Sequence, residues 1–359
     1  MKVYDRFLAR YFQGSAEACG PLEAMKNRAP NPSHGSGSGR LLPLSLNLMR
    51  ILVIGAGAVG GYFGGRLLEA NRDVTFLVRR ARARELATSG LQIRSPFGDA
   101  TLPSPPTVHA EDLTTPFDLI LLSCKAYDLE SAIASLTPAV GPDTVILPLL
   151  NGMRHLDILD HAFGPHRVLG GRCLIAATLN DQREIVHLNN VHTLTFGERD
   201  GTLSDRVIAI DNVMNGALFD HQASSHILLD MWEKWTFLAT LAGSTCLFRA
   251  AIGDICAAPG GSEFVLRLFE ECRSIAASAG FPPTTPFLDR MRAMLTEAGS
   301  SLTASMLRDI EAGAPIEADH VIGDLLNRGE APLLRIVYSS LKAYEARRRR
   351  TLAARGANQ

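Results

Sequence analysis

The sequence predicts an α/β protein in which a doubly wound parallel sheet is followed by an all-α helical domain. Short apolar, β-branched runs alternate with helical segments from Met49 to about Asp220, a pattern typical of parallel sheets covered by helices on both faces. A glycine-rich turn, G-x-G-x-x-G, follows the first of these runs. Beyond Asp220 the β-branched runs give way to helix-forming residues. We therefore expect one domain at about 49–220 and a second at about 221–352.

The elements of the first domain are predicted from apolar runs and from the composition between them. The predicted strands are residues 51–54, 74–78, 119–123 and 144–149. The predicted helices are residues 58–70, 81–89, 128–136, 156–163 and 204–217. Two further segments, 184–188 and 193–198, alternate between apolar and polar residues, which predicts an antiparallel hairpin at the edge of the sheet.

The second domain is predicted from helical segments alone. They cover residues 226–243, 262–279, 286–298, 302–312, 318–328 and 332–354. Ligands of open α/β sheets bind at the carboxyl ends of the strands. We therefore expect the functional site in the cleft between the two domains.

Composition excludes several classes of partner. The 359 residues are 46% hydrophobic and 20% charged, with a net charge of −1, which gives no electrostatic reason to bind nucleic acid or an anionic membrane. Pro43, Asn47 and Arg50 interrupt the apolar stretch before and into the first strand, so it is too short to span a membrane. The cysteines and histidines lack the spacing of a zinc site or a disulfide framework. We expect a cytoplasmic protein without a metal, acting as a monomer or homodimer.

Residues 1–48 are not expected to belong to the fold. The segment from Asn27 to Arg40 is rich in proline, glycine and serine, a composition that cannot bury a core. This extension is predicted to be disordered or non-native, with Met49 as the alternative start.

The glycine-rich turn predicts a Rossmann-type dinucleotide site. Gly55 permits the tight turn after the strand, Gly57 lets the backbone approach a pyrophosphate, and Gly60 lets the helix pack closely on the sheet. The N–H groups and the dipole at the start of the helix favour an anion there. The predicted cofactor-binding segment is Gly55, Ala56, Gly57, Ala58, Val59 and Gly60.

The end of the second strand favours NADP(H) over NAD(H). NAD-binding versions of this unit carry an acidic residue there for the ribose 2′-hydroxyl, whereas this strand is followed by Arg79 and Arg80, with Arg82 and Arg84 close behind. A guanidinium suits a 2′-phosphate that a carboxylate would repel. The alternative is that these arginines are only a solvated surface.

Six motifs in both parts of the chain together resemble ketopantoate reductases (2-dehydropantoate 2-reductases), over Met49 to about Leu352. They are ILVIGAGAVGGYFGG at 51–65, SCKAYD at 123–128, LLNGM at 149–153, MWEKW at 231–235, SMLRDIEAG at 305–313 and PIEADHVIGDLL at 315–326. The resemblance implies an NADPH-dependent reduction of a 2-oxo acid, which in this family is ketopantoate on the route to pantothenate. Lys125 and Asn151 are then implied to contact both cofactor and substrate, and Ser305 the substrate carboxylate.

Lys234 and Glu317 are the expected catalytic pair. Ketone reduction leaves a developing alkoxide, and an ammonium on a helix that faces the cleft can stabilise it and donate the proton. The resemblance makes Lys234 the general acid and Glu317 the partner that orients it. The structural alternatives are a surface lysine and a carboxylate that favours a helix N-terminus. Likewise, Asn151 alone would indicate only a turn.

One departure from the family pattern concerns the substrate. Ketopantoate-reducing members carry asparagines four and eight residues after the lysine, where this chain has Leu238 and Ala242. Helical spacing places both on the same stripe as Lys234, so they are the predicted apolar wall of the substrate pocket. A reductase of a more apolar carbonyl compound is the alternative function. A non-catalytic NADP-sensing regulator is a third, although such a protein would not need both Lys234 and Glu317.

Overall fold

The computed structural model describes residues 49–356, and the prediction for residues 1–48 lies outside them. The strands are β1 (Ile51–Ile54), β2 (Val74–Leu77), β3 (Leu91–Arg94), β4 (Ala100–Leu102), β5 (Thr107–Val108), β6 (Leu119–Leu122), β7 (Val145–Pro148), β8 (Gly170–Leu179), β9 (Ile185–Gly197) and β10 (Asp220–Ala223). The helices are α1 (Ala58–Glu69), α2 (Arg80–Ser89), α3 (Leu129–Leu136), α4 (Arg154–Phe163), α5 (Asp205–Met214), α6 (Ile227–Phe248), α7 (Ile252–Ala257), α8 (Gly261–Ser278), α9 (Thr285–Leu295), α10 (Ser305–Glu311), α11 (Asp324–Leu326) and α12 (Pro332–Gly356).

The first sheet confirms the predicted doubly wound fold. Its order is β5-β2-β1-β6-β7, and every pairing is parallel. Alternate side chains of β1 enter different cores: Ile51 and Val53 pack with α1 and the second sheet, whereas Leu52 and Ile54 pack with α3, α4 and the C-terminal helices. Burial on both faces explains why these strands are uninterrupted apolar runs.

A second sheet replaces the hairpin predicted from residues 184–188 and 193–198, and that prediction is wrong. The two segments form one continuous strand, β9, which pairs antiparallel with β8; the sheet runs β10-β9-β3-β4. A hairpin would place its turn at the two asparagines in the middle. Instead, Asn189 Oδ1 accepts a hydrogen bond of 3.0 Å from the Ala176 backbone N–H, at the irregularity between Ile175 and Ala177. The asparagine therefore satisfies a β-bulge rather than ending a strand.

After β10 the described chain is helical, as predicted. The central helix α6 is buried along most of its length and packs against α8, α10 and α12. The helix expected at 318–328 begins instead with a π-helical turn, Asp319–Gly323, that continues into α11. Single π-turns of this kind are frequent at functional sites. No helix of residues 49–356 combines the length and apolarity that crossing a membrane needs.

Candidate active site

The turn between β1 and α1 has the geometry of a pyrophosphate cradle. Gly55 has φ +87°, in the region that favours glycine. A Cβ on Gly57 would meet nothing within 4 Å, whereas a Cβ on Gly60 would lie 2.6 Å from the Gly55 carbonyl oxygen. The turn is therefore open to a ligand at Gly57 and closed against the sheet at Gly60.

The start of α1 offers unpaired backbone donors to that open space. Gly57 is the N-cap, no side chain in the described part of the chain caps the helix, and its first turn holds no acidic residue. Ser123, after β6, donates its hydroxyl to the Ile54 carbonyl at 2.9 Å and so holds the ends of β1 and β6 together. These residues fit a dinucleotide pyrophosphate, which helix N-termini bind through N–H groups and the dipole.

The predicted arginines differ in their surroundings. Arg79 is 82% exposed and pairs with Asp128 at 3.4 Å, so its guanidinium is accessible at the rim beside β2. Arg80 pairs with Glu111. Arg82, in contrast, is 11% exposed and donates to the Ala56 carbonyl at 3.1 and 3.3 Å. Arg82 thus stabilises the glycine-rich turn through these hydrogen bonds, a role that its sequence position alone does not indicate.

Lys234 lies on α6 as a buried and unpaired ammonium. The residue is 9% exposed, and no group among residues 49–356 forms a hydrogen bond or ion pair with its Nζ. Burial lowers the Lys234 pKa, and Arg172 lowers it further, whereas Cys173 and Glu317 oppose the shift. An amine whose pKa is lowered by burial gives up its proton more readily to a substrate.

Glu317 contacts Lys125 rather than Lys234. Its Oε1 accepts from the Ala126 backbone N–H at 2.9 Å, and its Oε2 lies 3.5 Å from Lys125 Nζ. Lys125 Nζ also donates to Asp309 at 3.0 Å. Although burial lowers the pKa of Lys125, Glu317 and Asp309 outweigh it and the net shift is upward. In this structure Glu317 does not form the expected contact with Lys234 and acts on it only through its charge.

Asn151 lies half-buried in the turn after β7, beside the C-terminal helices. The next residue, Gly152, has φ +75°, and a Cβ there would meet the backbone oxygen of His320 at 3.0 Å. The turn that carries Asn151 is therefore packed directly on the π-helical turn.

Leu238 and Ala242 lie four and eight residues after Lys234 on α6, and helical geometry places them on the same face. Leu238 is half-buried and Ala242 is buried. One turn farther along, the Thr245 hydroxyl accepts from the backbone N–H of Ala304 at 3.4 Å. The apolar stripe consequently runs from Lys234 to the start of α10.

Ser305 is the first residue of α10 and is exposed. One turn later on the same face of the helix lies Asp309, the carboxylate that binds Lys125. Asp309 is a site residue that sequence reasoning missed, although its i+4 spacing from Ser305 would have indicated it. The structure therefore brings Lys125 and Glu317 into contact and adds Asp309 to them, while Arg79 stays at the cofactor rim.

Comparisons with known proteins match both parts of the chain to one family. The family model described as Ketopantoate reductase PanE/ApbA matches residues 51–201, and the one described as Ketopantoate reductase PanE/ApbA C terminal matches residues 226–345. A Bacillus subtilis protein named uncharacterized oxidoreductase YkpB is 37% identical over 83% of this chain and 99% of its own.

Two further relatives have named activities. The 2-dehydropantoate 2-reductase of Archaeoglobus fulgidus is 28% identical over 79% of this chain and 92% of its own. The crystal structure of 2-dehydropantoate 2-reductase from Methylococcus capsulatus superposes with a TM-score of 0.74, at 29% identity, over 84% of this chain and 98% of its own. With both family models matched in order, this chain is an oxidoreductase that belongs to the ketopantoate reductase family.

Proposed function

We propose that this protein reduces 2-oxo acids with an apolar side chain to 2-hydroxy acids and uses NADPH. The observation that carries the proposal is the buried ammonium of Lys234, which has no partner among the described residues, with the apolar stripe of Leu238 and Ala242 beside it. On the cofactor side, Ser123 holds the end of β1, and Lys125, two residues later, binds Glu317, whose charge acts on Lys234.

The residues of the chain stabilise the developing charge and donate the proton of the reaction. When NADPH is bound, it provides a hydride for the carbonyl carbon of the substrate. The two electrons of the carbonyl π bond then move to the oxygen, which Lys234 stabilises as charge develops. Lys234 donates one proton to that oxygen, giving the hydroxyl and leaving a neutral amine, which regains a proton from solvent.

Lys125, Glu317 and Asp309 hold the opposite side of the cleft. Glu317 fixes the backbone of Ala126 and, with Asp309, keeps Lys125 charged. A substrate carboxylate that approached Lys125 would replace Asp309 as its partner, with Ser305 within the same helical turn to donate a hydrogen bond.

NADPH is proposed over NADH because of Arg79. Its guanidinium is exposed after β2, and its partner Asp128 is itself 44% exposed, so a phosphate dianion can displace that weak surface pair. The family match supports a nicotinamide cofactor, and Arg79 is the residue that favours NADPH.

Ketopantoate is the second candidate substrate. It is favoured by the names of the Archaeoglobus and Methylococcus relatives, but it carries a distal hydroxyl that Leu238 and Ala242 cannot bind. A buried polar group without a partner costs about 1–3 kcal/mol, or one to two decades in kcat/KM.

A panel of 2-oxo acids tests the proposal. NADPH oxidation is followed with alkyl, aryl and hydroxylated 2-oxo acids, ketopantoate included, and kcat/KM is compared. We expect higher values for plain alkyl or aryl side chains, and a shift toward ketopantoate in the double variant Leu238→Asn with Ala242→Asn. If ketopantoate is the best substrate of the unmodified protein, the apolar pocket is wrong; if no 2-oxo acid is reduced, the reaction class is wrong as well.

A further inference from the structure

The hairpin that joins β8 to β9 reaches the start of α1. Its tip is a tight turn in which the Arg183 N–H donates to the Asn180 carbonyl at 2.9 Å, and the Glu184 N–H donates to the Asn180 side chain at 2.8 Å. Ile185, the first residue of β9, packs on the first turn of α1, since a Cβ on Gly61 would lie 2.6 Å from its Cδ1. The hairpin tip is therefore adjacent to the glycine-rich turn.

Arg183 occupies a strained position at this tip. Its φ is +63°, in the left-handed region that glycine adopts readily and other residues rarely do. A glycine would form the same turn without strain, so the turn itself does not require an arginine. Backbone outliers of this kind cluster where a side chain has a function. The side chain of Arg183 has a specific contact, because its Nε donates to Glu85 Oε2 at 3.2 Å.

Glu85 joins Arg183 to Arg82. The same Oε2 accepts from Arg82 Nη1 at 2.9 Å, and Nε and Nη2 of Arg82 donate to the Ala56 carbonyl inside the glycine-rich turn. Hydrogen bonds from Arg82 and from Arg183 lower the pKa of Glu85, so this carboxylate is charged at neutral pH. An unbroken series of hydrogen bonds thus runs from the hairpin tip through Glu85 and Arg82 to Ala56.

A 2′-phosphate would compete with Glu85 for Arg82. Arg82 lies in the first turn of α2, directly after β2, and the end of that strand is where Rossmann units bind the 2′ position of the adenosine ribose. A phosphate monoester carries about −1.5 to −2 charges at neutral pH, so it is repelled by a carboxylate that stays on the same guanidinium. Arg183 offers that carboxylate a second cationic partner, which leaves Arg82 free to exchange one anion for the other.

We propose that Arg183 is a positioning residue for NADPH specificity: it retains Glu85 when Arg82 takes up the 2′-phosphate. Arg82 and Glu85 alone carry no net charge, and Arg183 raises the total to +1, which favours the phosphate further. NADH has a hydroxyl at that position and does not require the exchange. This inference rests on the proposed function, in which the cofactor is NADPH, and it adds a residue of the second sheet to the cofactor site.

The other arginines at the end of β2 have carboxylate partners of their own. Arg79 is paired with Asp128 at 3.4 Å, and Arg80 is paired with Glu111. Substitution of Arg183 leaves both of these pairs in place. An effect of Arg183 on cofactor choice is therefore separate from the effect already expected of Arg79.

Four substitutions separate the roles within this group of three charges. Arg183→Asn removes the charge and keeps a residue that tolerates the left-handed conformation, whereas Arg183→Lys keeps the charge. Glu85→Gln removes the carboxylate charge and keeps an acceptor for Arg82. Arg84→Gln, at an exposed position of the same helix, is the matched control for the loss of one positive charge. Thermal unfolding of each variant shows that it is folded.

Dissociation constants for NADPH and NADH are measured by fluorescence titration, without turnover. We expect Arg183→Asn to weaken NADPH binding about fivefold, the effect of an exposed charge interaction, and to leave NADH binding unchanged. The loss should be largest at low ionic strength and should shrink as salt is added, because exposed charges are screened. Arg183→Lys should keep most of the NADPH affinity, and Arg84→Gln should change it by less than about twofold.

A double variant tests whether Arg183 acts through Glu85. In a Glu85→Gln background no carboxylate competes for Arg82, so Arg183→Asn should weaken NADPH binding no more than the control Arg84→Gln does. An unchanged NADPH affinity in Arg183→Asn, an equal loss for both nucleotides, or an undiminished loss in the Glu85→Gln background would overturn this inference alone. Equal affinities for NADPH and NADH in the unmodified protein would overturn it together with the choice of NADPH. Loss of the proposed reaction is recognised separately, because both dissociation constants remain measurable even if no 2-oxo acid is reduced.

Discussion

The cofactor side and the substrate side of the cleft are built in different ways. On the cofactor side, the turn from Gly55 to Gly60 presents backbone N–H groups and open space, and its shape is set within six consecutive residues. On the substrate side, the charges of Lys234, Glu317 and Lys125 come from separate elements and are partly or fully buried. A backbone site of the first kind needs only the local fold, whereas a site of the second kind needs the two domains to meet correctly.

The difference predicts that the two sides fail in different ways when they are altered. Changes at the cofactor side should alter nucleotide affinity or stability, and changes at the substrate side should alter turnover. Substitutions on either side therefore test whether this division holds.

Lys234 should show the strongest response to substitution. Lys234→Ala should reduce kcat/KM for the best 2-oxo acid by about 10³-fold or more, because both proton donation and charge stabilisation are lost. Lys234→Arg should remain strongly impaired, since a guanidinium keeps the charge and cannot release the proton. NADPH affinity, measured by fluorescence titration, should stay within about threefold of the original. A large loss of NADPH affinity would show that the two sides are not separable.

The glycine-rich turn gives a matched pair with opposite expected outcomes. Gly57→Ala adds a methyl group into open space at φ −84°, so the melting temperature should be unchanged while NADPH affinity falls about tenfold or more, because the methyl group occupies the site of the pyrophosphate. Gly60→Ala places a methyl group 2.6 Å from the Gly55 carbonyl and should cost about 2–3 kcal/mol of stability. If both variants lose stability equally, the turn has no room for a ligand.

The same division separates what the sequence could predict from what it could not. The β1–α1 turn and the first sheet are predictable because the strand, the glycines and the helix are contiguous. The contact between Lys125 and Glu317 joins residues 192 positions apart, and no local pattern indicates it. The hairpin prediction failed at β9 because a side chain, Asn189, pairs with the Ala176 backbone across the sheet.

Arg79 tests the choice of cofactor. Arg79→Asp should lower the preference for NADPH over NADH by on the order of a hundredfold, because a charge-assisted contact with the 2′-phosphate is replaced by repulsion. Arg80→Asp, which changes the neighbouring arginine paired with Glu111, is the matched control and should have a smaller effect. Dissociation constants for both nucleotides give the ratio. Equal affinities in the unmodified protein would remove the basis for choosing NADPH.

The smallest expected effect comes from substitution of a histidine on the cofactor side, which should change the stability of the protein and not its turnover. His192 is buried under α1, where its Nδ1 lies 2.6 Å from the Tyr62 hydroxyl and the Phe97 ring stacks on it at 3.8 Å. Burial lowers the His192 pKa to about 4, and His187 and Arg66 contribute to the shift.

Because the folded pKa of His192 is below the unfolded value of about 6.5, the unfolded chain binds the proton first. Stability due to neutral His192 is complete above pH 6.5 and is lost as the pH falls toward 4, by about 2–3 kcal/mol. His192→Asn keeps an amide at the Nδ1 position and cannot be protonated, so its urea unfolding free energy should fall less between pH 7 and pH 4.5 than that of the unmodified protein. Its kcat/KM profile should be unaltered, in contrast to those of the Lys234 variants on the substrate side. Should the profile also move, the two sides of the cleft are coupled through the second sheet, and the division between them fails.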